Sequence, residues 1–501
     1  MKLHPLSVPY RILQSAIGVF GLIVVLGIVV GQAEPGLASP VIAIGFIISV
    51  AAVIAWQVAY YRRFEYDLTS NTFDIASGVI SRRIREIPYR RIQNVDISRT
   101  LVQRALGIAE LRIETAGGTQ SEAHLRYVGY QDAKHLQDEI NTRTRGVASS
   151  TGENGPEPRE RGTTLFQITD SELIILGIAS FDLRVLSFVA VILSITAPSA
   201  IYVLLFELPV GPIVVLSAAA IVVFIISGIL SGGSAIFNNF GFTLSQSGDE
   251  LRYERGLLQR YDGSIPLDKV QTLILRENII KRKFGYASLT LETAGYAPGQ
   301  QAAESASVVP IARRDRTLSI AREIEPFDHI AFAHPARRAR QRYTFQYLIL
   351  ASLLTIAAWA IVAYTVVDTW WYGVAITYVL APIAAHLKWK HRGYAILENH
   401  VATRSGFWRR RTHIVPYYRI QTVDEVQTVL QRRWRISTVV IDTAGSSGIV
   451  EGNPTAYDLD EVEATDLRSA LEQELQESLA ARKQPTFEVS TLFPGGPLGV
   501  W

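Results

Sequence analysis

Residues 78–117 read GVISRRIREIPYRRIQNVDISRTLVQRALGIAELRIETAG, and the frame of this stretch returns twice more along the chain. Reduced to its fixed points, the frame is Gly-x9-Pro-x4-Gln-x21-Thr-Ala-Gly. Gly78, Pro88, Gln93, Thr115, Ala116 and Gly117 fill it first. Gly256, Pro266, Gln271, Thr293, Ala294 and Gly295 fill it second, and Gly406, Pro416, Gln421, Thr443, Ala444 and Gly445 third. No gap is needed in any copy. A chance match of six specified residues at ordinary abundances is on the order of 10⁻⁸ per placement. The chain is therefore a tandem triplication.

Inside the frame the pattern is that of short strands. Each copy opens on an aromatic run, Tyr66-Asp67-Leu68-Thr69, Phe242-Thr243-Leu244-Ser245 or Tyr394-Ala395-Ile396-Leu397. The invariant Gly predicts a turn with positive φ, and the Pro predicts an end to ladder pairing and a change of chain direction. Alternating strands follow, with a short helix-compatible segment at 100–106. Leu111 and Ile113, like Leu289 and Leu291, share one face of the strand before Thr-Ala-Gly. Helical stretches at 131–142, 313–325 and 459–479 close the copies. Strands followed by one helix predict an α+β module with a strongly bent sheet.

Outward from each frame lie apolar blocks at 12–31, 41–60, 186–206, 210–230, 345–367 and 371–386. Each approaches the roughly 20 residues that span a bilayer as a helix. They come in pairs joined by turns holding Glu34, Glu207 and Asp368 but no Lys or Arg, whereas their other ends carry arginines and lysines. The positive-inside rule then puts the termini and the polar copies in the cytoplasm. The expected order is a hairpin at 1–61, a domain at 62–143, a flexible linker at 144–162, and an interfacial segment with hairpin two at 163–231. Domain two at 232–327, hairpin three at 328–390, domain three at 391–480 and a disordered tail at 481–501 follow.

Composition agrees with alternating blocks, since 48% hydrophobic residues coexist with 19% charged ones. With no cysteine in 501 residues, disulfides, zinc–thiolate sites, iron–sulfur clusters and cysteine nucleophiles are excluded. A net charge of +3 gives no bulk argument for nucleic acid. The blocks hold no Asp, Glu, Lys or Arg between their ends, which argues against an ion-coupled path. No phosphate-loop, dinucleotide or nucleophile-elbow motif occurs, and the histidines show no ligand spacing. His4-Pro5 and His334-Pro335 read as turns leading into hairpins. The expectation is no enzyme, no catalytic residue, no metal and no cofactor.

The frame resembles the bacterial pleckstrin-homology domains of the bPH2 type, a domain of unknown function. The resemblance rests on Ile87-Pro88, Ile92-Gln93, Val95, Arg104, Gly107 and Thr115-Ala116-Gly117 in the first copy. Ile265-Pro266, Val270-Gln271, Arg282, Gly285 and Thr293-Ala294-Gly295 carry it in the second, and Val415-Pro416, Ile420-Gln421, Val423 and Thr443-Ala444-Gly445 in the third. The order hairpin-then-domain, three times over, is similar to multi-pass members with three tandem domains. The resemblance implies three PH-like sandwiches or barrels, each capped by a C-terminal helix, and no agreed activity. Arg435 stands where the other copies have Gly107 and Gly285, which predicts a different turn in copy three.

The candidate binding surface is the basic strand after the Gly: Arg82, Arg83, Arg85, Arg90 and Arg91 in copy one, and Arg409, Arg410, Arg411 and Arg419 in copy three. Copy two is thinner, with Arg255, Arg260 and Lys269. A solvated positive face and a surface for anionic headgroups or partner proteins both fit; beside an anionic leaflet each charge adds about 1 kcal/mol. The expected function is a non-enzymatic membrane scaffold in envelope maintenance, binding inner-leaflet lipid, other membrane proteins or itself. A transporter or channel component is the alternative. The segment at 163–184 fits either an interfacial amphipathic helix or a docking segment on the first domain.

Overall fold

The computed structural model describes residues 1–12, 15, 38–115, 123–148, 162–180, 212–293, 307–364, 374–444 and 452–483. The chain divides into two compact units, one taking Met1–Pro326 and the other beginning at Phe327.

In the first unit, helix α1 (Ala38–Arg63) runs into strands β1 (Glu65–Leu68), β2 (Thr72–Ser77) and β3 (Arg83–Pro88), which form an antiparallel three-stranded sheet. Pro88 sits at φ −61° and starts a single 3-10 turn, after which β4 (Ile92–Thr100) leaves in a new direction. The short helix α2 (Leu101–Ala105) links β4 to β5 (Ile108–Thr115), which pairs with β6 (Ala123–Gly129). Helix α3 (Tyr130–Ala148) then lies against the strands. Phe73, Ile87, Val95, Ile97, Leu111, Ile113 and Leu125 meet Ala133, Leu136 and Ile140 in one buried cluster. Each large aliphatic or aromatic side chain there stabilises by about 1.5–3 kcal/mol, so two sheets and one helix close a core that neither sheet could close alone.

The second copy repeats this plan with β8 (Thr243–Ser247), β9 (Glu250–Arg255), β10 (Gln259–Pro266), β11 (Val270–Asn278), α6 (Ile279–Lys283), β12 (Tyr286–Thr293), β13 (Ser307–Arg313) and α7 (Arg314–Ile324). Before it come β7 (Thr163–Gln167), α4 (Asp170–Ala179) and α5 (Pro212–Asn239). The first two copies are not independent modules. Strand β10 pairs with β4, with Gln259 opposite Thr100 and Asp262 opposite Ile97, and a seven-stranded sheet runs β6-β5-β4-β10-β9-β8-β7. An unpaired sheet edge exposes a row of backbone donors and acceptors; here each copy satisfies the other's.

Strand β7 corrects the expectation for residues 163–184. It is an added edge strand on β8 of the second copy, not a docking segment on the first, and the helical part of the expected segment is confined to α4, where Ile174 and Ile178 are exposed. Phe166 is buried against Phe242, ring centroids 6.0 Å apart, which favours the sheet over a lipid surface. Thr169 then caps α4 in a reciprocal box with Glu172. The same addition recurs elsewhere: Tyr66 N donates to Met1 O at 3.1 Å, and Ala333 and Tyr394 exchange backbone bonds. The structural repeat thus begins ahead of each pair of apolar blocks.

The second unit holds α8 (Arg337–Tyr364), α9 (Ile376–Lys390), the sheet β14 (Gly393–Ile396), β15 (His400–Ser405), β16 (Arg409–Pro416), and the sheet β17 (Ile420–Val426), β18 (Ile436–Thr443), β19 (Thr455–Asp460). Helix α10 (Val429–Trp434) joins β17 to β18, and α11 (Glu461–Lys483) covers the core through Ala464, Leu467 and Leu471. Arg435 corrects a further expectation. It takes φ +50°, the same left-handed turn as Gly107 at +68° and Gly285 at +73°, because the helix cap and the start of β18 dictate that conformation.

Two described helices are long and apolar enough to cross a membrane, Ile44–Arg63 within α1 and Arg337–Ala360 within α8. The expected spans at 210–230 and 371–386 fall largely on α5 and α9, while 12–31 and 186–206 lie almost wholly outside the described residues. Ile47, Ile48 and Trp56 of α1, and Leu350, Leu353, Ile356 and Trp359 of α8, are exposed. Helices apolar on every side require lipid or protein around them.

Candidate functional site

The invariant glycines build one local structure three times. Gly78, Gly256 and Gly406 have φ +113°, +102° and +91°. A Cβ there would lie 1.9, 1.9 and 2.1 Å from the carbonyl oxygens of Ser81, Gln259 and Arg409. Only glycine permits this turn, whose backbone folds over itself.

Each turn docks on the end of the helix that precedes its copy. Arg63, the last residue of α1, donates to Val79 O at 2.6 Å. Gly256 N and Leu257 N donate to Phe240 O and Phe237 O at the end of α5, at 2.9 and 2.8 Å. The ring of His391, just past α9, lies 5.4 Å from that of Phe407. The second residue after each glycine is a bare apolar side chain: Ile80 is 86% exposed, Leu258 47% and Trp408 42%.

In copies two and three the short helix contacts a different helix, α4 or α8. Asn278, which caps α6, donates its side-chain amide to Ala179 O at the end of α4. Trp434 of α10 packs on Phe345 of α8 with centroids 5.9 Å apart. These helices, too, show apolar residues to solvent, with Leu101 and Val102 in α2 and Val429 and Leu430 in α10, while Phe284 is exposed just past α6. Basic residues flank them: Arg82, Arg83, Lys283, Arg409, Arg432 and Arg433 are all exposed. The glycine turn and the short helix of each copy, with their exposed apolar residues and the cations near them in sequence, are together termed its rim.

The expected basic strand therefore splits. Arg82, Arg83, Arg409 and Arg410 stand at the rim, with Arg85 and Arg411 further along their strands. Arg90, Arg91, Lys269 and Arg419 lie past the Pro corner, and the proline itself is about 30 Å of extended chain from the glycine. Arg260 pairs with Glu254 at 2.6 Å, and Lys269 lies 3.5 Å from Asp268. Arg255 is 5% exposed, its guanidinium 5.2 Å from the Tyr261 ring, and its placement on a surface is corrected accordingly. Strand alternation explains it, since Leu251, Tyr253 and Arg255 share the inward face of β9.

Of the other repeated residues, Thr115, Thr293 and Thr443 are buried at strand ends. The residues after Thr115 and Thr293, Gly117 and Gly295 among them, lie outside the described residues, as do Gly445 and the Gln93 side chain. Gln271 donates to Lys269 O at 3.1 Å across its own Pro corner, whereas Gln421 is exposed.

Two polar clusters sit behind the rim. Between α3 and the β8–β10 sheet is a cleft of about 360 Å³ lined by Lys134, Asp138, Asn141, Arg252, Glu254 and Asp262. Lys134 lies 3.7 Å from Asp262, Asn141 donates to Ser264 at 3.3 Å, and Arg104 donates to Leu257 O at 3.0 Å. Burial, then the nearby Glu254, pushes the Asp262 carboxyl up. These contacts run along the β4–β10 junction and seal copy one to copy two.

The other cluster surrounds Asp458, 2% exposed and at φ +55°. Its carboxylate accepts from Arg392 at 2.9 Å and Gln431 at 2.8 Å, and from Arg342 and Tyr343 of α8. The equivalent positions, Tyr127 and Ile311, carry no carboxylate. Among the described residues, no group of three His, Asp or Glu side chains is placed to hold a metal ion.

Paired antiparallel sheets closed by a C-terminal helix, repeated behind apolar helices, define a chain of tandem PH-like domains. The chain belongs to the Bacterial PH domain family, which matches residues 18–144, 171–327 and 345–483. It is similar to the transmembrane protein YdbT of Bacillus subtilis (strain 168), with 24% identity over 436 residues covering 81% of this chain and 85% of the relative. No solved structure matches.

Proposed function

We propose that this chain is a multi-pass membrane scaffold whose three PH-like copies press their rims onto the inner leaflet. Six spans in three hairpins anchor it, the copies and termini are cytoplasmic, and the protein performs no catalysis. One observation carries the reading. Each copy sets an exposed apolar residue two positions after its glycine, against the end of an apolar helix and next to arginine: Ile80, Leu258 and Trp408. A tip that costs free energy in water is stabilised when inserted at the headgroup boundary, and the neighbouring cations gain from anionic lipid. The transmembrane relative supports the membrane placement.

Because the chain has no cysteine, single Ile80→Cys, Leu258→Cys and Trp408→Cys variants can each carry one environment-sensitive dye. In nanodiscs containing phosphatidylserine, the dye should emit blue-shifted and be quenched by spin-labelled lipid. Arg82→Ala/Arg83→Ala should weaken the quenching at position 80 in a salt-dependent way. Water-like emission at all three positions would overturn the reading. Labelling of a linker cysteine, Ser149→Cys, from outside intact spheroplasts by an impermeant reagent would overturn the orientation.

A further inference from the structure

We infer that the chain assembles head to tail, β17 of one molecule pairing with β3 of a second. The template lies within the chain. Strand β4 is the first strand of copy one's second sheet, and β10 is the last strand of copy two's first sheet; they pair antiparallel, Ile97 to Asp262 and Thr100 to Gln259. Counting from the shared prolines, β3 is the counterpart of β10, and β17 the counterpart of β4. Among the described residues, no copy stands ahead of copy one and none after copy three. Correspondingly, β3 stands at the edge of β1-β2-β3, and β17 at the edge of β17-β18-β19, among the described residues.

Carrying the β4–β10 register over places Ser81 opposite Thr428, Arg83 opposite Val426, Ile84 opposite Glu425 and Arg85 opposite Asp424. In the template, Gly263 faces Asp96 at the Arg85–Asp424 position, and a Cβ on Gly263 would be 2.4 Å from Asp96 Oδ1. The two outer edges replace that tight contact with side chains of opposite charge. Arg82, Arg83 and Arg85 line one edge; Asp424 and Glu425 line the other. Ile84 and Val426, 64% and 47% exposed, would be covered. Charges on an edge strand commonly prevent pairing; two edges of opposite sign instead repel their own kind and select each other. Arg82 and Arg83 serve both readings, so the pairing is tested at Arg85 and Asp424, away from the apolar tips, and its failure is distinguishable from failure of the lipid reading.

The test uses full-length chains in detergent micelles. Antiparallel partners have Cα atoms about 4.5–5.5 Å apart, within disulfide reach. Chains carrying only Arg85→Cys, mixed with chains carrying only Asp424→Cys, should form a disulfide dimer on mild oxidation, and neither variant alone should. Arg85→Asp should weaken association roughly tenfold, Asp424→Arg likewise, and mixing the two charge-reversed chains should restore it; light scattering reads this without cysteine chemistry. Dimers from Arg85→Cys alone, absence of dimer in the mixture, or a monomer at all concentrations would overturn the proposal. Both positions are exposed in the single chain, so the substitutions leave folding intact, which circular dichroism verifies.

Discussion

Asp458 Oδ2 accepts a hydrogen bond from Arg392 Nη1 at 2.9 Å, joining the last strand of the third copy to the second residue past α9. Arg342 binds the other carboxylate oxygen. One buried anion thus fastens α8 and the chain just past α9 to the third sandwich. Removing one member of a buried charged group costs about 3–5 kcal/mol, because the partners remain desolvated and unpaired. Asp458→Asn should therefore destabilise the second unit by that amount. Limited proteolysis should show earlier cleavage there than in the first unit, and equal cleavage of both would refute the assignment.

Lys281 is the odd member of another repeated position. It stands third after the cap residue of α6, where copies one and three have Gln103 and Gln431. Its ammonium is held by Ser288 Oγ and, at 3.4 Å, by Pro310 O. Burial, then the neighbouring Arg276, lowers it from 10.5 to about 8. The folded value is the lower one, so the unfolded chain binds more protons between those two values, and stability rises with pH across that window. Below about pH 8 the penalty is fully present. Lys281→Gln should remove the slope and stabilise copy two on the order of 2 kcal/mol at neutral pH. Hydrogen exchange of β12 amides against pH measures both; an unchanged slope in the variant would refute it.

The triplication, the positive-φ glycines and the proline corners were legible because each is a local backbone requirement that leaves a fixed residue at a fixed spacing. The β4–β10 seam was not, because nothing in the sequence of an edge strand says which edge it will meet. Strand β7 was hidden for the same reason, its Phe166 finding a partner, Phe242, far along the chain. The tips Ile80, Leu258 and Trp408 were legible, two places after the glycine in every copy, but the adjacent arginines drew the reading to charge alone. Arg255 could have been placed inside by simple strand alternation.

Arg435 offers a test of how strongly context overrides local preference. An exposed arginine at φ +50° carries strain that glycine does not, on the order of 1 kcal/mol. Arg435→Gly should raise the stability of the second unit by about that much, offset by a few tenths through the freer unfolded chain. A loss of stability in thermal unfolding would mean that the arginine side chain contributes more than its backbone costs.

Glycines at positive φ should also separate into two classes. At Gly285, φ is +73° and an added Cβ meets nothing within 4 Å, so Gly285→Ala meets only the left-handed penalty of about 1 kcal/mol. At Gly256, φ is +102° and the same carbon would overlap Gln259 O at 1.9 Å, a backbone atom that cannot swing aside. The carbonyl can retreat only by opening the turn, which takes with it the Gly256–Phe240 and Leu257–Phe237 bonds to the end of α5. Gly256→Ala should therefore cost roughly 3 kcal/mol or more and, on the proposed lipid contact, should also move Leu258 away from the membrane. A dye at position 258 would report that movement as a red shift in Gly256→Ala and none in Gly285→Ala. Equal behaviour of the two variants would show that the turn matters only as a left-handed residue, and that its docking on α5 does not hold the tip in place.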